Sequence, residues 1–190
     1  MIDLLEIDGF LDEATRAALV AELEESASAP STVLSAQPGG MVQSSVRRSK
    51  RIAVSPETMQ LVKDRLMARK PEIEAHFGVQ LNECEDPQFL RYETGDFFVA
   101  HQDGNTPLVW DESRFRRISA VIFLSQMSDD EAPDTYGGGM LVFHGPFSAP
   151  NFRAAADANP GSLVTFRAET THEVTQVTHG VRYTIATWFR

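Results

Sequence analysis

Phe97-Phe98-Val99-Ala100-His101-Gln102-Asp103-Gly104 reads as a short strand running into a turn. Side chains alternate across a strand, so residues two apart share a face. His101 and Asp103 therefore point the same way, with Val99 behind them. An imidazole beside a carboxylate suits a divalent metal. Two histidines and one carboxylate form the facial set that holds mononuclear iron(II) and leaves other positions open. His-x-Asp alone is a weak pattern, and its meaning depends on a third ligand elsewhere in the chain.

Around that stretch the texture is that of a β protein. From Asp86-Pro87 onward, short apolar runs separated by turn residues replace helical spacing. Strands are expected at Gln88–Glu93, Phe97–Gln102, Ile118–Gln126, Met140–His144, Ser162–Phe166, His172–Val177 and Arg182–Phe189. Many short strands with no long helix between them point to an antiparallel sandwich or barrel, here a double-sheet jelly roll. Three connections are long, at Gly104–Arg116, Met127–Gly139 and Gly145–Gly161, as binding loops often are. The glycines Gly137 to Gly139 fit a turn that needs positive φ.

Upstream the spacing is helical. Residues 2–8 could add an edge strand. Asp12 is a good N-cap for a helix over Glu13–Glu25. Ser26–Gly40, rich in Ser, Ala, Pro and Gly, reads as loop. Ser55-Pro56 starts a second helix, with Met59, Val62 and Leu66 as its buried stripe, ending near Arg69. Pro71 is expected to open a third, short helix carrying Ile73 and Phe77. The expectation is one domain over 1–190, mainly β within an α+β class, with 1–85 as helical support and 86–190 as jelly-roll core.

Composition narrows the partners. The formal net charge of −10 disfavours a duplex nucleic acid, which needs a basic face. One cluster, Arg47-Arg48-Ser49-Lys50-Arg51, runs against that balance. Charge runs usually face water, so a solvated loop is the leading expectation; the other is a rim that meets an acidic substrate or cosubstrate. The single cysteine, Cys84, rules out an internal disulfide and reads as an inert, partly buried thiol. With no leader-like N-terminus and no span-length apolar run, the expectation is a soluble cytoplasmic protein without membrane partners.

The third ligand is sought among His76, His144, His172 and His179. His76 falls in a helix and is expected at the surface. His172 lies late in the chain at a strand start, and a late strand folding back beside an early one is what a jelly roll supplies. Ten residues on, Arg182 opens the last strand, with Arg182, Thr184, Ala186 and Trp188 on one face and Tyr183, Ile185, Thr187 and Phe189 on the other. A guanidinium on an otherwise apolar strand wants a carboxylate, and the strand offers none. A bound dicarboxylate would serve, with the Thr184 hydroxyl beside it.

Taken in order, these residues resemble the iron(II)- and 2-oxoglutarate-dependent oxygenases, and more narrowly their prolyl 4-hydroxylase-like branch. Three stretches carry the narrower likeness: Gln88-Phe89-Leu90-Arg91-Tyr92-Glu93-Thr94-Gly95-Asp96 leading into His101; Gly137-Gly138-Gly139-Met140-Leu141-Val142-Phe143; and Pro160-Gly161-Ser162-Leu163-Val164-Thr165-Phe166, followed by His172 and Arg182. The likeness covers roughly residues 85–190. It implies a double-stranded β-helix in which His101, Asp103 and His172 hold iron(II). Arg182 and Thr184 would take the far carboxylate of 2-oxoglutarate, with Tyr92 as a further contact. Dioxygen would be the oxidant, ascorbate a possible auxiliary reductant, and Phe123, Val164, Phe166 and Trp188 apolar walls. Phe123 stands where oxygen-sensing animal enzymes usually carry a tyrosine, and Arg182 where collagen-type enzymes often use lysine. Retention of Asp103 separates the chain from the related halogenases. The implied reaction is hydroxylation of an unactivated carbon, on a prolyl residue in a protein or peptide or on a free small molecule such as an amino acid. A cupin-like metal protein of another class would keep the three ligands without needing Arg182, and a silent interaction module would need neither. The oligomeric state is left open.

Overall fold

The computed structural model describes residues 2–33, 41–107, 111–146, 148–157 and 159–190. The first half contributes β1 (Leu4–Ile7), α1 (Glu13–Glu25), β2 (Ser28–Pro30), β3 (Arg47–Arg48), β4 (Lys50–Ile52) and α2 (Pro56–Phe77). The second half contributes β5 (Gln88–Glu93), β6 (Phe97–His101), β7 (Ile118–Phe123), β8 (Gln126–Met127) and β9 (Thr135–Gly138). It continues with β10 (Leu141–His144), β11 (Arg153–Ala155), β12 (Leu163–Arg167), β13 (His172–Val174) and β14 (Val177–Phe189). They form two sheets. The larger runs β1-β12-β7-β14-β5-β4-β2, with β8 and β9 beside the first half of β14; the smaller runs β11-β10-β13-β6-β3. This is the expected jelly roll with helices to one side.

The larger sheet has two different faces because β14 alternates. Tyr183, Ile185 and Phe189 enter the main core together with Val62, Leu66, Ile73 and Phe77 of α2 and Leu19 and Leu23 of α1. Arg182, Thr184, Ala186 and Trp188 face the space between the sheets. Sequestering the apolar residues of α1 and α2 against one face leaves the other free to line a cleft.

Both helices begin where their caps dictate. Asp12 accepts a hydrogen bond from the Thr15 amide at 2.8 Å, and Ser55 one from the Thr58 amide at 3.2 Å. The third helix expected at Pro71 does not exist as a separate element. Pro71 lies inside α2, which continues to Phe77 and ends on Gly78 with φ +63°. An internal proline costs about 3 kcal/mol. Burying Ile73 and Phe77, on the same stripe as Val62 and Leu66, returns roughly 1.5–3 kcal/mol each and carries the helix through.

Two further expectations change. Ser26–Gly40 is not all loop, since Ser28–Pro30 pairs with Lys50–Ile52; residues 34–40 lie outside the described residues. The basic cluster is not a free loop either. Its first two residues join the smaller sheet beside β6 and its last two join the larger beside β5, so it crosses between the sheets at Ser49. The long connections carry short elements of their own: a 3-10 turn at Glu112–Phe115, β9 and β11. Trp110, which its place in the Gly104–Arg116 connection suggests as a substrate-facing lid residue, lies outside the described residues. Cys84 is buried, and burial pushes its thiol pKa up, as an inert thiol requires. Among the described residues no helix is long and apolar enough to cross a membrane.

Replacing Pro71 with alanine is expected to stabilise the chain by roughly 2 kcal/mol, the helix gain less the lost unfolded-state restriction. A raised urea midpoint with an unchanged m-value would show it.

Candidate metal centre and cosubstrate cleft

His101 ends β6 and His172 begins β13, and the two strands pair with His172 directly opposite His101. That register delivers the third ligand. Asp103 follows two residues after His101, and a ligand atom from each of the three residues lies within 4.8 Å of the others. The Nε2 atoms of His101 and His172 stand 3.6 and 3.5 Å from opposite oxygens of the Asp103 carboxylate.

Each imidazole is fixed by its own backbone. His101 Nδ1 is 2.8 Å from the Val99 carbonyl and His172 Nδ1 is 2.9 Å from the Thr170 carbonyl. A carbonyl only accepts, so both rings carry a proton on Nδ1 and turn Nε2 toward Asp103. Asp103 is held as firmly. The Ser119 hydroxyl donates to its Oδ2 at 2.6 Å, and its amide donates to the Ala168 carbonyl at 2.9 Å. Gln102 Nε2 ties the same turn to the Glu169 carbonyl at 2.7 Å. Gly104 belongs to this construction: a Cβ there would lie 1.9 Å from the Ser113 carbonyl oxygen.

The protonation states suit a cation. Burial pushes the Asp103 carboxyl up, but the two imidazoles and the Ser119 hydroxyl more than reverse this, leaving it ionised far below the usual carboxylate range. Burial pushes His172 down to about 4 against the pull of Asp103, so it is neutral at pH 7. A neutral His172 imidazole and an ionised Asp103 carboxylate are what metal coordination needs.

Beyond the three ligands the cleft runs to Arg182, which is 1% exposed. Its Nη1 donates to the Thr184 hydroxyl at 3.2 Å, while its Nε is buried with no hydrogen-bond partner. The guanidinium lies 5.1 Å from the Tyr92 ring centre and 5.5 Å from that of Phe123. Tyr92 is its cross-strand neighbour on β5 and also lines the cleft. Gly139, at φ +55°, makes room for the arginine: a Cβ would sit 2.9 Å from its Cδ. Among the described residues no carboxylate pairs with Arg182, and a buried charge left so is expensive. An anion that enters the cleft would complete it, so the donor set and the orphaned guanidinium together fit a metal ion with an acidic cosubstrate.

Of the four expected walls only Trp188 lines the cleft. Phe123 stands against Arg182, Phe166 packs edge-on to the His172 ring at 4.7 Å, and Val164 belongs to the cluster behind them. Val164 and Phe166 are on β12 opposite Val121 and Ser119 of β7, on the same inward face but one strand nearer the sheet edge, so they flank the site instead of lining it. The apolar lining comes from Leu90, Phe98, Val121, Leu141 and Val174. Sequence reasoning also missed Ser119 and Arg116. Ser119 sits opposite Trp188 on β7, and a polar residue within Ile118–Phe123 was a usable but unspecific signal. Arg116, bidentate to Glu85, stacks 3.7 Å over the Trp188 ring and sets its position; no local pattern announces that. His76 is exposed and pairs with Asp3, and His144 reaches Glu173 at 3.2 Å outside the ligand set.

Comparison with known proteins fits this geometry. The sequence profile of the 2OG-Fe(II) oxygenase superfamily matches residues 87–190. The chain belongs to that superfamily. A PKHD-type hydroxylase of Shewanella sp. (strain ANA-3) is 30% identical over 176 residues, covering 90% of this chain and 72% of that protein. In three dimensions a prolyl-4-hydroxylase of Pseudomonas putida superposes with a TM-score of 0.72 at 22% identity, over 100% of this chain and 93% of that one. A Trichoplax adhaerens prolyl hydroxylase, solved with a hypoxia-inducible-factor peptide fragment, superposes at 0.70 with 15% identity, over 100% and 84%. These structural likenesses speak for the jelly roll. The superfamily profile and the Shewanella relative make the chain an iron(II)- and 2-oxoglutarate-dependent hydroxylase of the PKHD type.

Removing the Ser119 hydroxyl is expected to weaken iron(II) binding about 10- to 100-fold without unfolding the chain, as loss of a bond to a ligating carboxylate usually does; anaerobic titration of Ser119→Ala would measure it. The metal-free protein is also expected to lose stability as the pH falls. Unfolded, His172 takes up its proton near 6.5; folded, only near 4. Between those values the unfolded state binds more protons, so the urea midpoint should drop from pH 7 to pH 4, and His172→Gln should flatten the near-neutral part of that slope.

Proposed function

We propose that this hydroxylase acts on a prolyl residue in a protein or peptide, with His101, Asp103 and His172 as iron ligands and Arg182, Thr184 and Tyr92 as the 2-oxoglutarate contacts. The buried guanidinium of Arg182, unpaired with any carboxylate among the described residues and in the same cleft as the three ligands, carries the reading. A cupin-like metal protein would have no use for it. The PKHD-type and prolyl-hydroxylase relatives support the prolyl substrate, and the Trichoplax protein was solved with a peptide. A free amino acid or other small molecule is the second reading. One reduced, buried thiol fits a cytoplasmic setting.

The residues divide the work. His101 and His172, their Nδ1 protons held by carbonyls, present Nε2 to the metal. Asp103 would add the carboxylate ligand beside them. Arg182 receives the distal carboxylate, with Thr184 beside it and the Tyr92 ring setting its position. Leu90, Val121, Leu141 and Trp188 keep water away from the reacting carbon. Bound iron(II) supplies the redox chemistry by which dioxygen and 2-oxoglutarate become succinate, carbon dioxide and a hydroxyl on the substrate.

Succinate formation with iron(II), 2-oxoglutarate and oxygen is expected even without substrate, slowly, and is expected to vanish in His101→Ala and Asp103→Ala. Wild-type rates in both variants would end the assignment of these ligands. Arg182→Ala is expected to keep metal binding and to lose 2-oxoglutarate affinity by about 100-fold, the scale of a buried charge-assisted pair. An unchanged 2-oxoglutarate titration in that variant would favour a cupin-like protein.

A further inference from the structure

The basic cluster is the one sequence feature that the metal centre does not absorb. Within it Lys50 pairs with Glu93 at 2.8 Å and Arg48 reaches Asp96 at 3.8 Å. Arg47 and Arg51 have no ion pair among the described residues, and none of the remaining residues carries a carboxylate side chain. Of the four basic residues only Arg47 lines the cleft. Its guanidinium is held in place without being neutralised: Nε donates to the Ser49 hydroxyl at 2.9 Å and Nη1 to the Thr32 carbonyl at 3.2 Å. It lies 4.7 Å from the centre of the Phe98 ring, which stacks at 3.6 Å on His101. A fixed cation thus stands one aromatic ring away from a metal-ligand candidate, half-buried on a β3 edge where Arg182 at the other end is sealed.

The charges in the cleft leave this cation over. Among the described residues Asp103 is the only carboxylate lining it. With iron(II) and 2-oxoglutarate bound, the two charges of the metal and the one of Arg182 are met by the one of Asp103 and the two of the dicarboxylate. The loaded cleft is neutral before Arg47 is counted. In a chain of net charge −10 an uncompensated, pre-oriented guanidinium at the mouth is a recognition element for an anion, since arginine takes a carboxylate bidentately. We propose that Arg47 is the counter-ion for a carboxylate on the primary substrate, so that the hydroxylated group carries an acid close by: its own terminal carboxylate or that of an adjacent acidic residue. This rests on the proposed function and names the substrate class of the same site.

Binding decides it without turnover. Anaerobic protein loaded with iron(II) and saturating 2-oxoglutarate is titrated calorimetrically with N-acetylproline, with the α-amide of N-acetylprolyl-aspartate, whose side-chain carboxylate is free, and with neutral N-acetylprolinamide. At least one carboxylate probe is expected to bind about tenfold more tightly than the neutral amide, and which one does so identifies the source of the acid. Arg47→Gln is expected to erase the difference, Arg47→Lys to keep part of it, and Arg51→Gln, outside the cleft, to leave it intact. Equal affinities, including no binding of any probe, would overturn the inference, as would a preference that survives Arg47→Gln or disappears equally in Arg51→Gln. Weakened 2-oxoglutarate binding in Arg47→Gln would overturn it too, by assigning Arg47 to the cosubstrate. Absence of 2-oxoglutarate binding in the unaltered protein would sink the proposed function as well, whereas a normal cosubstrate titration with equal probe affinities sinks only Arg47.

Discussion

A guanidinium sealed between two sheets, with no carboxylate side chain beside it among the described residues, is the constraint around which this fold makes sense. Desolvating an arginine is unfavourable unless a negative charge meets it. Everything near Arg182 prepares that meeting and stops short of it: Thr184 takes one donor, the rings of Tyr92 and Phe123 lie close by, Gly139 clears space for the side-chain stem, and Nε is left over. A fold that only needed stability would gain from an apolar residue here. The unmet donor is therefore read as belonging to a ligand, and its place in the cleft of His101, Asp103 and His172 ties that ligand to a metal.

The metal end is built on the opposite principle, with each ligand side chain already held by a hydrogen bond of its own. Two carbonyls set the two imidazole tautomers, one hydroxyl steadies the carboxylate, and Ala168 and Glu169 anchor the turn that carries it. Rigid ligands with their protons already in place lose little on binding a cation. The helices complete the arrangement indirectly. By covering the outer face of β14 they leave its other face, with Arg182, Thr184, Ala186 and Trp188, to point inward.

Much of this was legible along the chain. Residues two apart on a strand share a face wherever that strand packs, so the pairing of His101 with Asp103 and the inward set from Arg182 to Trp188 followed from spacing. The caps of both helices, Asp12 and Ser55, were equally plain, because capping is satisfied within four residues. The helix stop at Pro71 was misread because the propensity of one residue is local, while the burial of Ile73 and Phe77 that overrides it is not. The basic cluster was misread for a related reason: its charges suggested water, and its place in two sheets depends on β5 and β6, some forty residues further on.

Backbone geometry repeats every two or nearly four residues, and this period let the order of residues specify strand faces, helix starts and the candidate ligands, with the fold class following from the number and length of the strands. Which residues meet across strands is a matter of register and long-range pairing, and no period encodes it. Folding alone put His172 opposite His101, Ser119 on the Asp103 carboxylate, Arg116 over Trp188 and Arg47 at the mouth of the cleft. Each of those contacts joins segments that approach only after the two sheets close, when burial of their shared core outweighs the entropy of bringing distant parts of the chain together.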